Sequence, residues 1–276
     1  MTTWNAAKEP MPEPISAMGW LRVLIRVLIL VPLVFGCLLL LLIVRLVEWP
    51  IFGLKRPITP HITQFVCKNA LRVLRVPVRV HGEAMRGQGA VVANHTSWLD
   101  IFVLNASNRI YFVSKAEVAN WPGIGWLARA TGTLFIKRER TQAKAHAKVM
   151  QDRLLAGHKL LFFPEGTSTD GQQVLAFKTT LFAPFMAPQL HDVLQIQPVS
   201  VVYHAPKGAS KVFYGWWGDM DFATHLLTTL ATLRQGSVDV LYHTPLRVAN
   251  FEDRKVLAKA CETAVQAGHS KYLHRN

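Results

Sequence analysis

Two titratable side chains stand in the stretch Val91 to Phe102, which reads VVANHTSWLDIF. His95 follows a run suited to a buried strand, and Asp100 stands five residues later. Two arrangements fit that spacing. In the first, Ser97 caps a helix and Asp100 closes a capping-box-like loop. In the second, the chain turns at Thr96 and Ser97 and brings the carboxylate back toward the imidazole. His95 is then a base near neutral pH, since a free imidazole titrates at about 6.5. Asp100 would fix its tautomer and stabilise the imidazolium. That pair is the base and orienter of a triad without its serine, so the hydroxyl it activates would belong to a substrate. The end of a strand is also where α/β sheets present catalytic groups.

The elements that must hold these residues alternate along the chain from Pro77 onward. Strands are predicted to begin at Val78, Ala90, Ile110, Thr133, Lys159, Ile196 and Ser237. Helical spacing is predicted over Trp98–Ala106, Ile124–Ala130, Thr141–Leu155, Thr179–Ala187, His225–Leu233 and Arg254–Ala267. Short β-rich runs between amphipathic helices imply an α/β layered domain with a central mixed sheet flanked by helices. The 276 residues are enough for a substantial core. Residues 1–19, with Pro10, Pro12 and Pro14, read as a flexible lead; 20–76 read as a membrane anchor and basic helix, and 77–276 as the catalytic domain.

The anchor rests on Val27 to Val44, VLILVPLVFGCLLLLLIV. At 1.5 Å per residue it covers about 27 Å, close to the roughly 30 Å of a bilayer's hydrocarbon core. No small-residue cleavage site follows, which disfavours a signal peptide. Pro32 and Gly36 can kink a spanning helix or turn a shallow hairpin in one leaflet, and the sequence leaves both open. In HITQFVCKNALRVLRVPVRV, Lys68, Arg72 and Arg75 mark a basic amphipathic helix suited to anionic headgroups or to solvent. Arg45, Lys55 and Arg56 favour the cytoplasm for the end that follows the apolar run, against Lys8, Arg22 and Arg26 before it. Trp20, Trp49 and Trp121 suit a membrane interface or ordinary packing.

A net charge of +14 favours an anionic partner. The basic residues are dispersed rather than gathered in a reading module, which argues against nucleic acid. Cys37, Cys67 and Cys261 lie far apart and form neither a zinc spacing nor a disulfide framework. There is no GxSxG elbow, no HExxH and no P-loop, and RGQGAV is only a fragment of a dinucleotide fingerprint.

Three later blocks decide the opening ambiguity. GTLFIKR, Gly132 to Arg138, is a strand ending in two cations. FPEGTSTDG, Phe163 to Gly171, is a strand running into a glycine turn. IQPVSV, Ile196 to Val201, is a strand interrupted by Pro198. With NHTSWLD they resemble, in order and spacing, the bacterial 1-acyl-glycerol-3-phosphate acyltransferase (lysophospholipid acyltransferase) family, whose pattern is NHxxxxD, GxxFIxR, FPEGT and a proline-containing strand. The resemblance spans roughly Val78 to Val248.

It implies a membrane enzyme of lipid biosynthesis that moves a fatty acyl group from acyl-CoA or acyl-carrier protein to a lysolipid hydroxyl, without an acyl-enzyme, a metal or a cofactor. His95 would deprotonate the acceptor and Asp100 would orient His95. Arg138 would bind an anionic headgroup. Glu165 would position Arg138 or the glycine turn, or accept from a substrate hydroxyl. Gly166 and Thr167 would offer N–H groups and a hydroxyl, Lys115 would meet the developing oxyanion, and Lys178 would contact a phosphate. The partners implied are a lysolipid, the acyl donor and an anionic membrane, on the cytoplasmic side of a bacterial inner membrane.

Members that acylate lysophosphatidate usually carry arginine directly after FPEGT, where this chain has Ser168. TSTDGQQVLAFKTTLF and YGWWGDMDFATHL are more similar to the lyso-ornithine lipid acyltransferase branch, although Gln172 and Ala176 stand where that branch often has asparagine and proline. Both acceptors stay open. A non-catalytic lipid-binding protein of the same fold is the alternative, and it would be expected to lack His95 or Asp100.

Overall fold

The computed structural model describes residues 4, 14–87, 89–136 and 143–274. The chain opens with α1 (Ala17–Val31), a π-helical turn (Pro32–Gly36) and α2 (Cys37–Phe52), which together form one rod. Pro32 supplies no N–H, and the π turn absorbs that missing donor within a continuous helix. The hairpin that Pro32 and Gly36 allowed is absent among these residues. The helix α3 (Thr59–Leu74) then leads into the sheet domain.

The sheet contains β1 (Val78–His81), β2 (Gly89–Ala93), β3 (Tyr111–Lys115), β4 (Leu134–Ile136), β5 (Lys159–Phe162), β6 (Gln195–His204), β7 (Ser237–Tyr242) and β8 (Leu246–Arg247). Its order is β1-β7-β6-β2-β5-β3-β4, with β8 added to β6. Strands β6, β2, β5, β3 and β4 run parallel, whereas β7 and β8 are antiparallel to β6. The sheet is therefore mixed. Pro198 is tolerated inside β6 because β8 pairs up to Ile196 and β7 only from Val199, so the proline falls between the two ladders.

The remaining helices are α4 (Asp100–Ser107), α5 (Ile124–Ala130), α6 (Ala143–Leu155), α7 (Pro188–His191), α8 (Phe222–Ala231) and α9 (Arg254–Leu273). Two cores form on opposite faces of β2. Val91 and Ala93 join Leu99, Val103 and Val201 on one face. Ala90 and Val92 join Leu154, Phe182 and Cys261 on the other. A strand buried on both faces is what layered α/β packing requires. Cys37, Cys67 and Cys261 are free thiols.

Two helix expectations need correction. Thr179–Ala187 is a 3-10 stretch, Thr179–Met186, with Pro184 inside it. The helix expected at His225–Leu233 begins earlier, at Phe222, because Asp221 caps it by accepting from Thr224 N at 2.7 Å. Of the lead at 1–19, residues 1–3 and 5–13 lie outside the described residues, and α1 already begins at Ala17.

The rod is held near its start by α8 and near its end by α3. Arg22 Nε donates to Ala231 O at 2.6 Å, and Arg26 Nη1 donates to Leu230 O and Thr232 O at 2.7 Å. These arginines satisfy the open carbonyls at the C-terminus of α8. At the far end the buried Glu48 accepts from Ile58 N, Thr59 N and Thr59 Oγ1, capping α3. The apolar middle has little protein over it: within its most apolar window only 6 % of residues are buried.

Candidate active site

Strand β2 ends at Ala93, and the next side chain extends its ladder. Asn94 Nδ2 donates to Val201 O and its Oδ1 accepts from Val201 N, both at 2.8 Å. The amide thus substitutes for a peptide unit and fixes where the chain leaves the sheet. His95 follows, with its ring stacked on Phe163 at a 4.0 Å centroid distance and 9° between planes.

Asp100 is fully buried at the first position of α4 and gathers four donors. Oδ2 accepts from His95 Nδ1 at 2.8 Å, Thr96 N at 2.9 Å and Ser97 N at 3.1 Å. Oδ1 accepts from Tyr203 OH at 2.7 Å. The two readings of NHTSWLD therefore coexist. The Ser97 N bond is the return half of a capping box, while among the described residues Ser97 Oγ meets only Leu99 N, at a long 3.4 Å. The same carboxylate holds the imidazole.

With Nδ1 donating to the carboxylate, the lone pair of a neutral His95 lies on Nε2. Among the described residues no group hydrogen-bonds that nitrogen, and the side chain is 22 % exposed. This arrangement can accept a proton from a hydroxyl on the open side and stabilise the charge from the buried side.

Glu165 lies beneath it. It is 2 % exposed, with Oε1 accepting from His95 N at 2.7 Å and Oε2 from Leu175 N at 2.8 Å. Burial pushes its carboxyl up to about 8, against the pull of those two N–H groups and with the help of the nearby Asp100 charge. Both oxygens are committed to backbone, so the expected contact with a substrate hydroxyl gives way to an anchor between the His95 loop and the glycine turn.

The turn itself is close-packed against the base. Thr169 N donates to His95 O at 3.0 Å. Gly171 has φ +75°, and a Cβ there would stand 2.6 Å from Thr96 Cγ2, so only glycine fits. Gly166 also lies in the left-handed region, at φ +72°. Thr167 is half-buried beside it. Lys178 N donates to Pro164 O at 2.9 Å, which places Lys178 at the root of the turn.

A third segment closes the loop from the other side. Trp216 N donates to Thr96 O at 2.9 Å. Trp98 Nε1 donates to His225 Nδ1 at 2.9 Å, while His225 Nε2 faces Phe213 O at 3.2 Å. Those roles require a neutral His225, and burial lowers its pKa accordingly.

Lys115 ends β3, in register with Ile136 of β4. The carboxyl ends of β2, β5, β3 and β4 thus share one edge of the sheet, and His95, Glu165 and Lys115 come to that edge. Arg138, two residues past β4, lies outside the described residues. Sequence reasoning did not single out Asn94 or Tyr203 as site residues. Asn94 had a local signal in its place before the histidine; Tyr203 had none, being brought to Asp100 by the β2–β6 pairing.

Comparison with known proteins gives a consistent result. Residues 77–202 match the Acyltransferase family model. The chain is 53 % identical over 265 residues to a lyso-ornithine lipid O-acyltransferase of Rhodobacter capsulatus, covering 96 % of each chain. It is 27 % identical to a 1-acyl-sn-glycerol-3-phosphate acyltransferase of Neisseria gonorrhoeae, over 72 % of this chain and 77 % of that one. Its fold is similar to the crystal structure of the 1-acyl-sn-glycerophosphate (LPA) acyltransferase of Thermotoga maritima. The TM-score is 0.65 at 22 % identity, with 94 % of this chain and 97 % of that chain covered.

Proposed function

The chain belongs to the acyltransferase family and is a lysolipid acyltransferase, and from that premise we propose a direct transfer in which His95 is the general base and lyso-ornithine lipid is the acceptor. The observation that carries the reaction is the buried Asp100 holding His95 Nδ1 while Nε2 stays open. His95 Nε2 takes the hydroxyl proton as the acceptor oxygen bonds to the thioester carbonyl carbon. The tetrahedral intermediate collapses, the carbon–sulfur bond breaks, and the thiolate recovers the proton from the imidazolium. Acyl-CoA and acyl-carrier protein are both thioesters of the required kind. Arg138 and Lys178 are the proposed cations for an anionic headgroup, and Lys115 for the oxyanion.

Lyso-ornithine lipid is favoured by the 53 % identity to an enzyme of that name and by Ser168, which removes a cation expected beside a phosphate monoester. An acceptor panel tests this: lyso-ornithine lipid against lysophosphatidate, each with a labelled acyl-CoA and a labelled acyl-carrier protein. Higher kcat/KM on lyso-ornithine lipid is expected. A preference for lysophosphatidate with both donors would reassign the acceptor.

We further propose that the rod lies in one leaflet. At 1.5 Å per residue its 36 residues extend about 54 Å, against a hydrocarbon core of roughly 30 Å; near its start it bonds to α8, and near its end to the N-terminus of α3. The flanking arginines, Arg22, Arg26 and Arg45, then lie on one side, which resolves their conflict and favours the cytoplasmic face. Cysteines introduced at Ile15 and Lys55 are expected to react with an impermeant maleimide from the same side of sealed inner-membrane vesicles. Labelling from opposite sides would establish a span.

A further inference from the structure

We propose that the segment from Ala116 to Ala130 is a second membrane foot, along whose tryptophans the acyl chain of the lysolipid acceptor reaches His95. The inference rests on the lysolipid reading above and adds the route of the acceptor.

A single exposed tryptophan needs no explanation. Here the exposed tryptophans lie on a segment whose helix packs beside the apolar rod, and one of them touches the aromatics behind the catalytic loop. Trp126, on α5, is 68 % exposed and Trp121 is 39 % exposed. Helix α5 packs beside α2. Its C-terminus is tied to the segment after α2 by Arg56 Nη1, which donates to Ala130 O at 2.8 Å. On α2 itself, Leu46, Val47 and Trp49 are exposed.

At the other end Trp121 meets Trp216 edge-on, with centroids 6.1 Å apart. Trp216 touches Phe222 at 5.9 Å, and Phe222 touches Trp98 at 5.7 Å. Trp98 belongs to NHTSWLD, and the Trp216 N–H bonds to Thr96 O. Aromatic contacts therefore run from Trp121, at the foot of the helix that packs beside the rod, to the turn that carries the base.

The segment is built to be firm. Gly123 has φ +70°, and a Cβ on Gly125 would stand 2.1 Å from Ala119 O, so the short helix closes tightly on the turn before it. Tryptophan favours the bilayer interface, where the ring is buried and its N–H stays wet. Arg129, exposed one turn beyond Trp126, supplies a cation at headgroup depth. The occupant that fits a firm aromatic ramp beside an apolar rod is the chain of a membrane lipid.

Two measurements test the proposal. In phosphatidylcholine vesicles doped with phosphatidylglycerol, Trp126→Ala is expected to raise KM for a long-chain lysolipid about tenfold. It should leave kcat/KM for a water-soluble short-chain acceptor within about twofold. Equal effects on both acceptors, or none on either, would overturn the route. Separately, lipids with brominated chains should quench the fluorescence difference between the parent and Trp126→Phe. An unquenched difference would show that Trp126 does not meet the bilayer, whatever the acceptor. Absence of lysolipid turnover in the parent counts instead against the functional reading, and the quenching experiment does not depend on it.

Discussion

Acyl transfer by the His95→Ala protein is expected to fall about 10³-fold, the scale of a lost general base, while folding and membrane association persist. Folding should survive because Asp100 keeps three of its four donors, Thr96 N, Ser97 N and Tyr203 OH. The lost ring is partly exposed and stacks on Phe163, so little core is vacated. The assay is turnover of a labelled thioester with near-ultraviolet circular dichroism as the check on folding. A folded His95→Ala protein within tenfold of the parent would remove His95 from the mechanism.

The partners of His95 should grade below it. In Asp100→Asn the amide oxygen can face the three N–H donors now on Oδ2, and the NH₂ group can donate to Tyr203 OH, which accepts as readily as it donates. The imidazole keeps its orientation, while the charge is lost together with the acceptor of the buried Tyr203 O–H, so a drop of about 10²-fold, read beside Tyr203→Phe, would give the electrostatic share. Tyr203→Phe removes one donor from a buried carboxylate, a cost of about 1–3 kcal/mol in stability, with a few-fold loss in rate. An Asp100→Asn protein that turns over as fast as the parent would show that the carboxylate's charge plays no part in the rate.

The strands and the dyad could be read from the chain because their signals are local. Apolar runs at Val78, Ala90 and Lys159 become strands, and NHTSWLD carries its own turn, helix start and carboxylate. The parts that escaped reading depend on tertiary register. Tyr203 and Val201 reach the site only because β6 lies beside β2 with Val92 opposite Pro198. The arginines before the apolar run read as flanks of a span, yet Arg26 caps α8 from a distance of about two hundred residues in sequence. Pro32 and Gly36 read as a kink or a hairpin, because a π turn has no sequence signature apart from the residues that break an α-helix. For Glu165 nothing local revealed that both oxygens would accept from backbone, from His95 N and Leu175 N.

That same Glu165 should make the fold lose stability as pH rises. An unfolded glutamate titrates at about 4.3, whereas burial holds this one at about 8. Between those values the native state keeps a proton that the unfolded chain releases. The stabilising contribution is therefore full below about pH 4.3 and is lost, at about 1.4 kcal/mol per pH unit, until the folded carboxyl itself ionises. Glu165→Gln removes the titration. Its amide oxygen can serve one of the two N–H groups, His95 N or Leu175 N, but its NH₂ confronts the other, at a cost of about 1–3 kcal/mol. The variant should therefore be the less stable protein near pH 5 and equal or exceed the parent near pH 8. Urea midpoints in detergent across that range would show the two curves converging or crossing. Parallel curves would mean that Glu165 is ionised throughout, held as an anion by its two N–H partners despite its burial.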